Sequence, residues 1–257
     1  MNIICPVCKE KLTKEDKSYK CINRHSFDIS KEGYVNLFLR KSENSGDEKD
    51  MIHARTLFLN TGSYDFLRKE LNSIIESYNT IDFVDLACGE GYYTRYFNAP
   101  NKVGIDLSKS GLKTASKADK DTDYILSSIF DTPLQSESVD TVLTCFAPVA
   151  KEEIVRILKD KGHFILVHPN IRHLSELRSA VYDTPYDNEV EPIEIPGLKL
   201  VKEYSIDSKG TLNNEQLIAL FKMTPYYHTT SDKDKEKLNS INELSVTFDF
   251  IISIYEK

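Results

Sequence analysis

The chain has 257 residues, with 40 Asp and Glu against 33 Lys and Arg for a net charge of −7, and 40% of its residues are hydrophobic. That length suits one core domain plus a small accessory unit, and no apolar run is long enough to cross a bilayer, which excludes a helical membrane protein. Residues 1–60 hold 11 Lys and Arg against 9 Asp and Glu, so the acidity lies in the rest, and the imbalance reads either as a place for an anionic partner at the N-terminal end or as ordinary surface variation.

The first residues pass directly into Cys5 and Pro6, without the basic region and apolar core of a secretory signal. The expected location is therefore the cytoplasm, where a reducing medium makes disulfides unfavourable and metal binding the better use of clustered thiols. Cys5 and Cys8 are separated by two residues, Cys21 follows twelve residues later, and His25 lies three residues beyond that. Two close pairs joined by a loop can close a tetrahedral shell around zinc, and four protein ligands leave no open position, so the expected site is structural. The plainer reading is a pair of small buried thiols and a surface histidine. Cys88 and Cys145, isolated in apolar surroundings, read as buried thiols.

Residues 1–40 are expected to form this zinc-binding module. The stretch KSENSGDEKD, residues 41–50, has no large apolar residue and reads as a linker. Residues 51–257 form the main domain. Helices are predicted over 51–60 and 64–78, the second capped by Ser63. Strands at 81–87, 102–107, 123–126, 139–146 and 163–167 alternate with helices at 91–97, 108–118 and 151–159, which implies a parallel sheet covered on both faces. A helix at 171–182, an acidic loop at 184–197, a strand at 198–206, a helix at 213–223 and a strand at 244–255 complete the chain.

The segment IDFVDLACGEG runs from an apolar strand through Asp85 into a turn with Gly89 and Gly91. Glycines there let the backbone approach a ligand closely. Asp106 ends the next strand, placed to accept hydrogen bonds from both hydroxyls of a ribose. The turn lacks the third glycine of a dinucleotide fingerprint, and Glu90 would repel a phosphate. A ligand with a ribose and a cation fits better, and S-adenosylmethionine has both. The plain alternative is a tight turn beside a surface Asp.

The segments CPVCKEKL, YKCINRHSFDISKEGYVNLF, HARTLFLNTGSYDFL, DLACGEGYYT, VGIDLSKSGLKTASK, RHLSEL and FKMTPY occur in this order over nearly the whole chain. Together they resemble the bacterial 23S rRNA guanine-N1 methyltransferases of the RlmA type. The resemblance implies an α/β fold: a class I, Rossmann-like, S-adenosylmethionine-dependent methyltransferase domain behind a small zinc-binding module that recognises RNA. It implies methylation of N1 of a guanine in a 23S rRNA hairpin of domain II, and a homodimer whose two zinc modules flank one RNA. Carried over residue by residue, it makes Cys5, Cys8, Cys21 and His25 the zinc ligands, Gly89 and Glu90 part of the cofactor loop, and Tyr64 and His173 cofactor contacts. Ala87 stands where the family usually has its first loop glycine, and Tyr227-His228 replace a Trp and Arg found there in some relatives.

Methyl transfer from a sulfonium needs positioning more than metal chemistry, but N1 of guanine must lose its proton. The sequence does not identify the group that takes it: Phe146, after the fourth main strand, reads either as a stacking partner for the base or as a buried aromatic at a strand end, and Glu176 is a candidate base only because RHLSEL lies on the neighbouring loop and helix. Tyr19, Phe27, Tyr34 and Phe38, interleaved with Lys20, Arg24 and Lys31, suit either RNA stacking or a small module core. Two further readings remain open at this point: a methyltransferase for tRNA or a small molecule with the module as a lid, and a zinc-dependent binding protein without turnover.

Overall fold

The computed structural model describes residues 1–40, 49–185 and 187–257, so most of the expected linker, residues 41–48, lies outside the described residues. The N-terminal forty residues form a three-stranded antiparallel sheet of β1 (Thr13–Glu15), β2 (Ser18–Lys20) and β3 (Ser26–Asp28), followed by β4 (Val35–Asn36). After α1 (Lys49–Leu59) and α2 (Asp65–Ser77), strands and helices alternate: β5 (Asp82–Leu86), β6 (Asn101–Asp106), α3 (Lys109–Ala118), β7 (Thr122–Leu126), β8 (Val139–Cys145), α4 (Lys151–Ile157) and β9 (Leu158–Pro169). Then follow α5 (Ser175–Val181), β10 (Lys199–Asn213), α6 (Asn214–Lys222), short helical turns at Tyr226–Thr229, Asp232–Glu236 and Lys237–Ser240, and β11 (Glu243–Glu256).

One eight-stranded sheet has the order β10-β11-β9-β8-β5-β6-β7-β4. Strands β4 to β9 run parallel in it, while β11 is antiparallel to β9, and β10 to β11. The order reverses beside β5, where β6 lies on one side and β8 on the other, and the carboxyl ends of the strands at such a switch point are where open α/β sheets bind ligands.

Alternation along the central strands divides the core in two. Phe83, Leu143, Ile165 and Val167, with Phe248 and Phe250 of β11, pack on Leu67 and Leu71 of α2, Leu177 of α5 and Leu217 and Leu220 of α6. Val84, Leu86, Val142, Phe164 and Leu166 face the other way, onto Ile154 and Ile157 of α4. Leu12, Tyr19, Val35 and Leu37 of the N-terminal module belong to this second layer. The module therefore has its apolar side chains in the core of the main sheet, and its β4 adds a parallel strand beside β7 through Val35↔Ile125 and Asn36↔Leu126.

Three local expectations differ. Residues 91–97 form only a short 3-10 turn, Thr94–Tyr96, because Gly91 is left-handed at φ 71° and the Thr94 hydroxyl is drawn to Asp85 at 2.5 Å. Ser63 does not cap α2: Tyr64 holds the cap position without a side-chain bond, and the Ser63 hydroxyl pairs with Thr61. The helix expected over 171–182 begins only at Ser175, since Asn170 to Leu174 run along the edge of β11, where the Asn170 and Leu174 amides donate to the Asp249 and Thr247 carbonyls.

Candidate metal centre and active site

The four expected zinc ligands stand on two tight knuckles. In the first, the Lys9 amide donates to the Cys5 carbonyl and Lys9 is left-handed; in the second, the Arg24 amide donates to the Cys21 carbonyl and Arg24 is left-handed. The knuckles bring one donor atom each from Cys5, Cys8, Cys21 and His25 within 4.8 Å of one another. His25 Nδ1 lies 3.5 Å from Cys5 Sγ and 3.4 Å from Cys21 Sγ, and the Cys8 and Cys21 sulfurs are 3.7 Å apart. Tetrahedral zinc with bonds of about 2.3 Å to sulfur requires separations of this size. The Cys8 thiol is drawn down to about 6, first by the Glu10 backbone N–H and then by Asn23, while burial pushes the Cys5 thiol up. The chain thus carries a candidate Cys3His metal site.

The aromatic residues that suited RNA stacking pack inward, Phe27 and Phe38 partly buried against the core. Tyr19 and Tyr34 are buried, Tyr34 against Cys88, Leu112 and Tyr124, so these two are core residues. Val7 and Ile22 are instead the exposed apolar side chains of the knuckles, Ile22 at 84%, and the sequence reading had not singled them out.

In the main domain, Ala87 to Gly91 turn sharply after β5, with Ala87, Gly89 and Gly91 all at positive φ. Ala87 takes the left-handed conformation that glycine holds more cheaply, at a cost of roughly 1–2 kcal/mol, so the departure from the family pattern leaves the turn intact. Asp106 ties the turn to the next helix: Oδ2 accepts the Gly89 N–H at 2.8 Å and Oδ1 the Ser108 N–H at 2.6 Å. Ser108 caps α3, accepting from the Gly111 N–H. Asp85 is fully enclosed, and burial pushes its carboxyl up to about 7, the Thr94 hydroxyl opposing and Asp106 adding to the rise. Glu90 is buried, with Arg55 of α1 at 4.0 Å. Arg55 also lies over Gly89, its Nη1 3.3 Å from where a Cβ there would stand. Sequence reading missed Arg55, because no local pattern links α1 to the turn.

Gly111 is a second such residue. A Cβ at Gly111 would meet the Gly89 carbonyl oxygen at 2.8 Å and its carbon at 2.9 Å. Gly111→Ala is expected to push the turn out of place, lowering affinity for S-adenosylmethionine at least about tenfold and stability by roughly 1–3 kcal/mol, as calorimetry and thermal melting will read.

At the ends of β8 and β9, Tyr64, Phe146 and His173 come together. The Tyr64 ring centroid lies 6.3 Å from Phe146 and 6.4 Å from His173, and Phe250 packs on all three. Tyr64 is buried, with its hydroxyl pushed well above its ordinary range by burial. Phe146 is left-handed at φ 57° and 41% exposed, a strained aromatic just past the end of β8. His173 is driven down to about 3 by burial and then by Arg178, so it is neutral. Its Nδ1 accepts the Asp249 N–H, which leaves the proton on Nε2 as its one donor.

Glu176 has a different place. Its carboxylate takes the Thr247 N–H at 3.0 Å, the Thr247 hydroxyl at 2.6 Å and the Ser175 hydroxyl at 3.2 Å. Burial raises its pKa, but these bonds outweigh that and the net shift is downward. Glu176 clamps α5 to β11 and is poorly suited to be a base. Cys88 and Cys145 are thiols held well above their ordinary range by burial.

Among the described residues, no helix is long and apolar enough to cross a membrane. A zinc-ribbon family described as the N-terminal region of RlmA matches residues 3–42, and a methyltransferase domain family matches residues 84–166. A 23S rRNA (guanine(748)-N(1))-methyltransferase of Streptomyces fradiae is 31% identical over 69% of this chain and 66% of its own length. Two proteins named as putative 23S rRNA (guanine-N(1)-)-methyltransferases are similar: one of Bacillus subtilis, 29% identical over 97% of this chain and 95% of its own, and one of Micromonospora griseorubida, 31% identical over 67% of each. With a zinc-ribbon pattern on the two knuckles and a methyltransferase pattern on the glycine turn, the chain belongs to the RlmA-type family of 23S rRNA (guanine-N1)-methyltransferases.

Proposed function

We propose that this protein transfers the methyl group of S-adenosylmethionine to N1 of a guanine in a hairpin of domain II of 23S rRNA, using the N-terminal module to hold the RNA. The observation that carries this reading is the placement of a Cys3His site in a module whose apolar residues complete the core of a methyltransferase sheet. A closed four-ligand site has no position for a reactant, so the metal serves folding and recognition. The reading includes a homodimer whose two modules flank one RNA and a site of action in the cytoplasm. Primer extension on 23S rRNA treated with the protein tests it, through a new stop at a guanine of that hairpin.

S-adenosylmethionine supplies an electrophilic methyl group on a sulfonium. In this reading Asp106 holds the ribose hydroxyls, and Gly89 and Gly91 let the backbone lie close to the cofactor. Glu90 and Asp85 face its positive charge, and Zn2+ is bound by Cys5, Cys8, Cys21 and His25. The Tyr64 hydroxyl, the His173 Nε2–H and the Arg55 guanidinium are the donors for the methionine carboxylate. Phe146, exposed at the end of β8, stacks on a base that has left its helix, and unstacking costs a few kcal/mol.

Asp85 makes cofactor binding depend on pH. Its carboxyl is raised to about 7 in the folded protein, so it is protonated below that value and ionised above it. A bound cation favours the ionised form. Affinity for S-adenosylmethionine is therefore expected to rise between pH 6 and 8, and Asp85→Asn to flatten that rise, by calorimetry across the range. Stability of the free protein has the opposite sign: a raised carboxyl binds more protons folded than unfolded, so its contribution falls as pH rises from the ordinary Asp range to about 7.

A further inference from the structure

We propose that Asp249 reads the Watson–Crick edge of the target guanine and accepts its N1 proton, an inference that rests on the guanine-N1 reading above. Asp249 lies on β11, where its neighbour Phe250 pairs with Pro169 at the carboxyl end of β9. This puts it in the row of strand ends that includes Phe146. Its side chain is 1% exposed, yet among the described residues Oδ2 accepts no hydrogen bond, and Oδ1 accepts from Asn170 Nδ2 at 3.1 Å. A buried carboxylate oxygen without a hydrogen bond is costly, and the one ion pair that reaches it is long.

The charged and titratable groups facing it come from two elements. Arg172, after β9, places Nε 3.4 Å from Oδ2 and reaches Asp207 of β10 at 3.7 Å, both long contacts from a guanidinium that is 64% exposed. Such a side chain screens the carboxylate and can swing off it when a better donor arrives. His173 holds the Asp249 main-chain N–H at 3.3 Å. The same imidazole packs on Phe250 and Tyr64, and Phe250 on Phe146, so the main chain at Asp249 is held by the cluster at the strand ends, while its carboxylate leaves β11 beside Asn170 and Arg172.

The chemistry follows from the base. Guanine presents N1–H and an N2 amino group side by side, two donors that an acceptor-only carboxylate pairs with together. Adenine presents a lone pair at N1 and is repelled. In the transfer step the N1–H bond breaks toward Asp249 Oδ2 and the electron pair at N1 bonds the methyl carbon. The S–CH3 bonding pair returns to sulfur. The products are N1-methylguanine, S-adenosylhomocysteine and a protonated Asp249, which returns its proton to water.

The test compares the full-length wild type, Asp249→Asn and Asp249→Ala in single-turnover methyl transfer to unmodified 23S rRNA, with calorimetry of S-adenosylmethionine binding and thermal melting beside it. Asp249→Asn keeps an acceptor for Asn170 and is the variant expected to fold most faithfully. The expected result is a rate about 10²–10⁴-fold lower in both variants, cofactor affinity within about twofold of wild type, and partial recovery of Asp249→Ala by added formate. Transfer by Asp249→Asn within about threefold of wild type would overturn the proposal, as would loss of cofactor binding or folding in that variant in proportion to the rate. Failure of the wild type to make N1-methylguanine would instead strike the functional reading, and is seen before any variant is compared.

Discussion

Removing the metal, by a strong chelator or by Cys21→Ser, is expected to unfold residues 1–40 and to weaken the main domain with them. Two knuckles with left-handed Lys9 and Arg24 close around a shared set of donors, and the small sheet between them is only three residues wide on each strand. In zinc-finger peptides the metal contributes about 10–16 kcal/mol to folding, so a module this small should not hold its turns without it. The consequence spreads because Leu12, Tyr19, Val35 and Leu37 belong to the core beneath β5, β6 and β7. A loss on the order of 3 kcal/mol in the main domain corresponds to a fall of roughly 10 °C in melting temperature. Affinity for S-adenosylmethionine should fall as well, since Tyr34 packs against Cys88 of the glycine turn and Leu112 of α3. Metal analysis, thermal melting and cofactor calorimetry with and without chelator check this, the expected content being one zinc per chain. An unchanged melting curve after complete metal removal would show that the knuckles stand without the ion.

Asp106→Ala is expected to weaken S-adenosylmethionine binding about 100-fold. Two terms add. The side chain holds the Gly89 and Ser108 amides, so its removal frees the turn and the start of α3 together. In the proposed complex it also loses the ribose hydroxyls. Hydrogen bonds to a charged group contribute about 1.5–3 kcal/mol each, and tenfold in affinity is about 1.4 kcal/mol. Asp106→Asn, which retains one acceptor oxygen, should fall between wild type and Asp106→Ala. Calorimetry on variants whose melting curves confirm folding separates the local effect from a global one.

The two variants also mark what the sequence made visible. The alternation of apolar strands and helices from residue 81 to 167, and the acid at the end of the second strand, are local signals, and the sheet has those strands in parallel order. The Cys3His cluster was legible because two close pairs at this spacing fold onto one point. Less visible were features made by contacts far apart in sequence. β4 is two residues long and has no period to read, yet it joins the edge of the main sheet. Tyr19 and Tyr34 sit among basic residues and look like a stacking surface, but the sheet beneath them makes them core. The helix expected after the glycine turn shrinks to a 3-10 turn because Asp85 captures the Thr94 hydroxyl. Arg55 comes to Gly89 from α1, and Asp249 comes to His173 from the last strand, separations over which no local pattern acts. Glu176 was singled out because it lies near the site in sequence, whereas the fold commits it to Thr247.

The most direct test of the account is transfer of a labelled methyl group from S-adenosylmethionine to unmodified 23S rRNA, with tRNA as control, followed by nucleoside analysis of the product. The account predicts label in N1-methylguanosine from 23S rRNA and none in tRNA. Label in a different nucleoside, or in tRNA alone, or no label while the cofactor is bound, would contradict it.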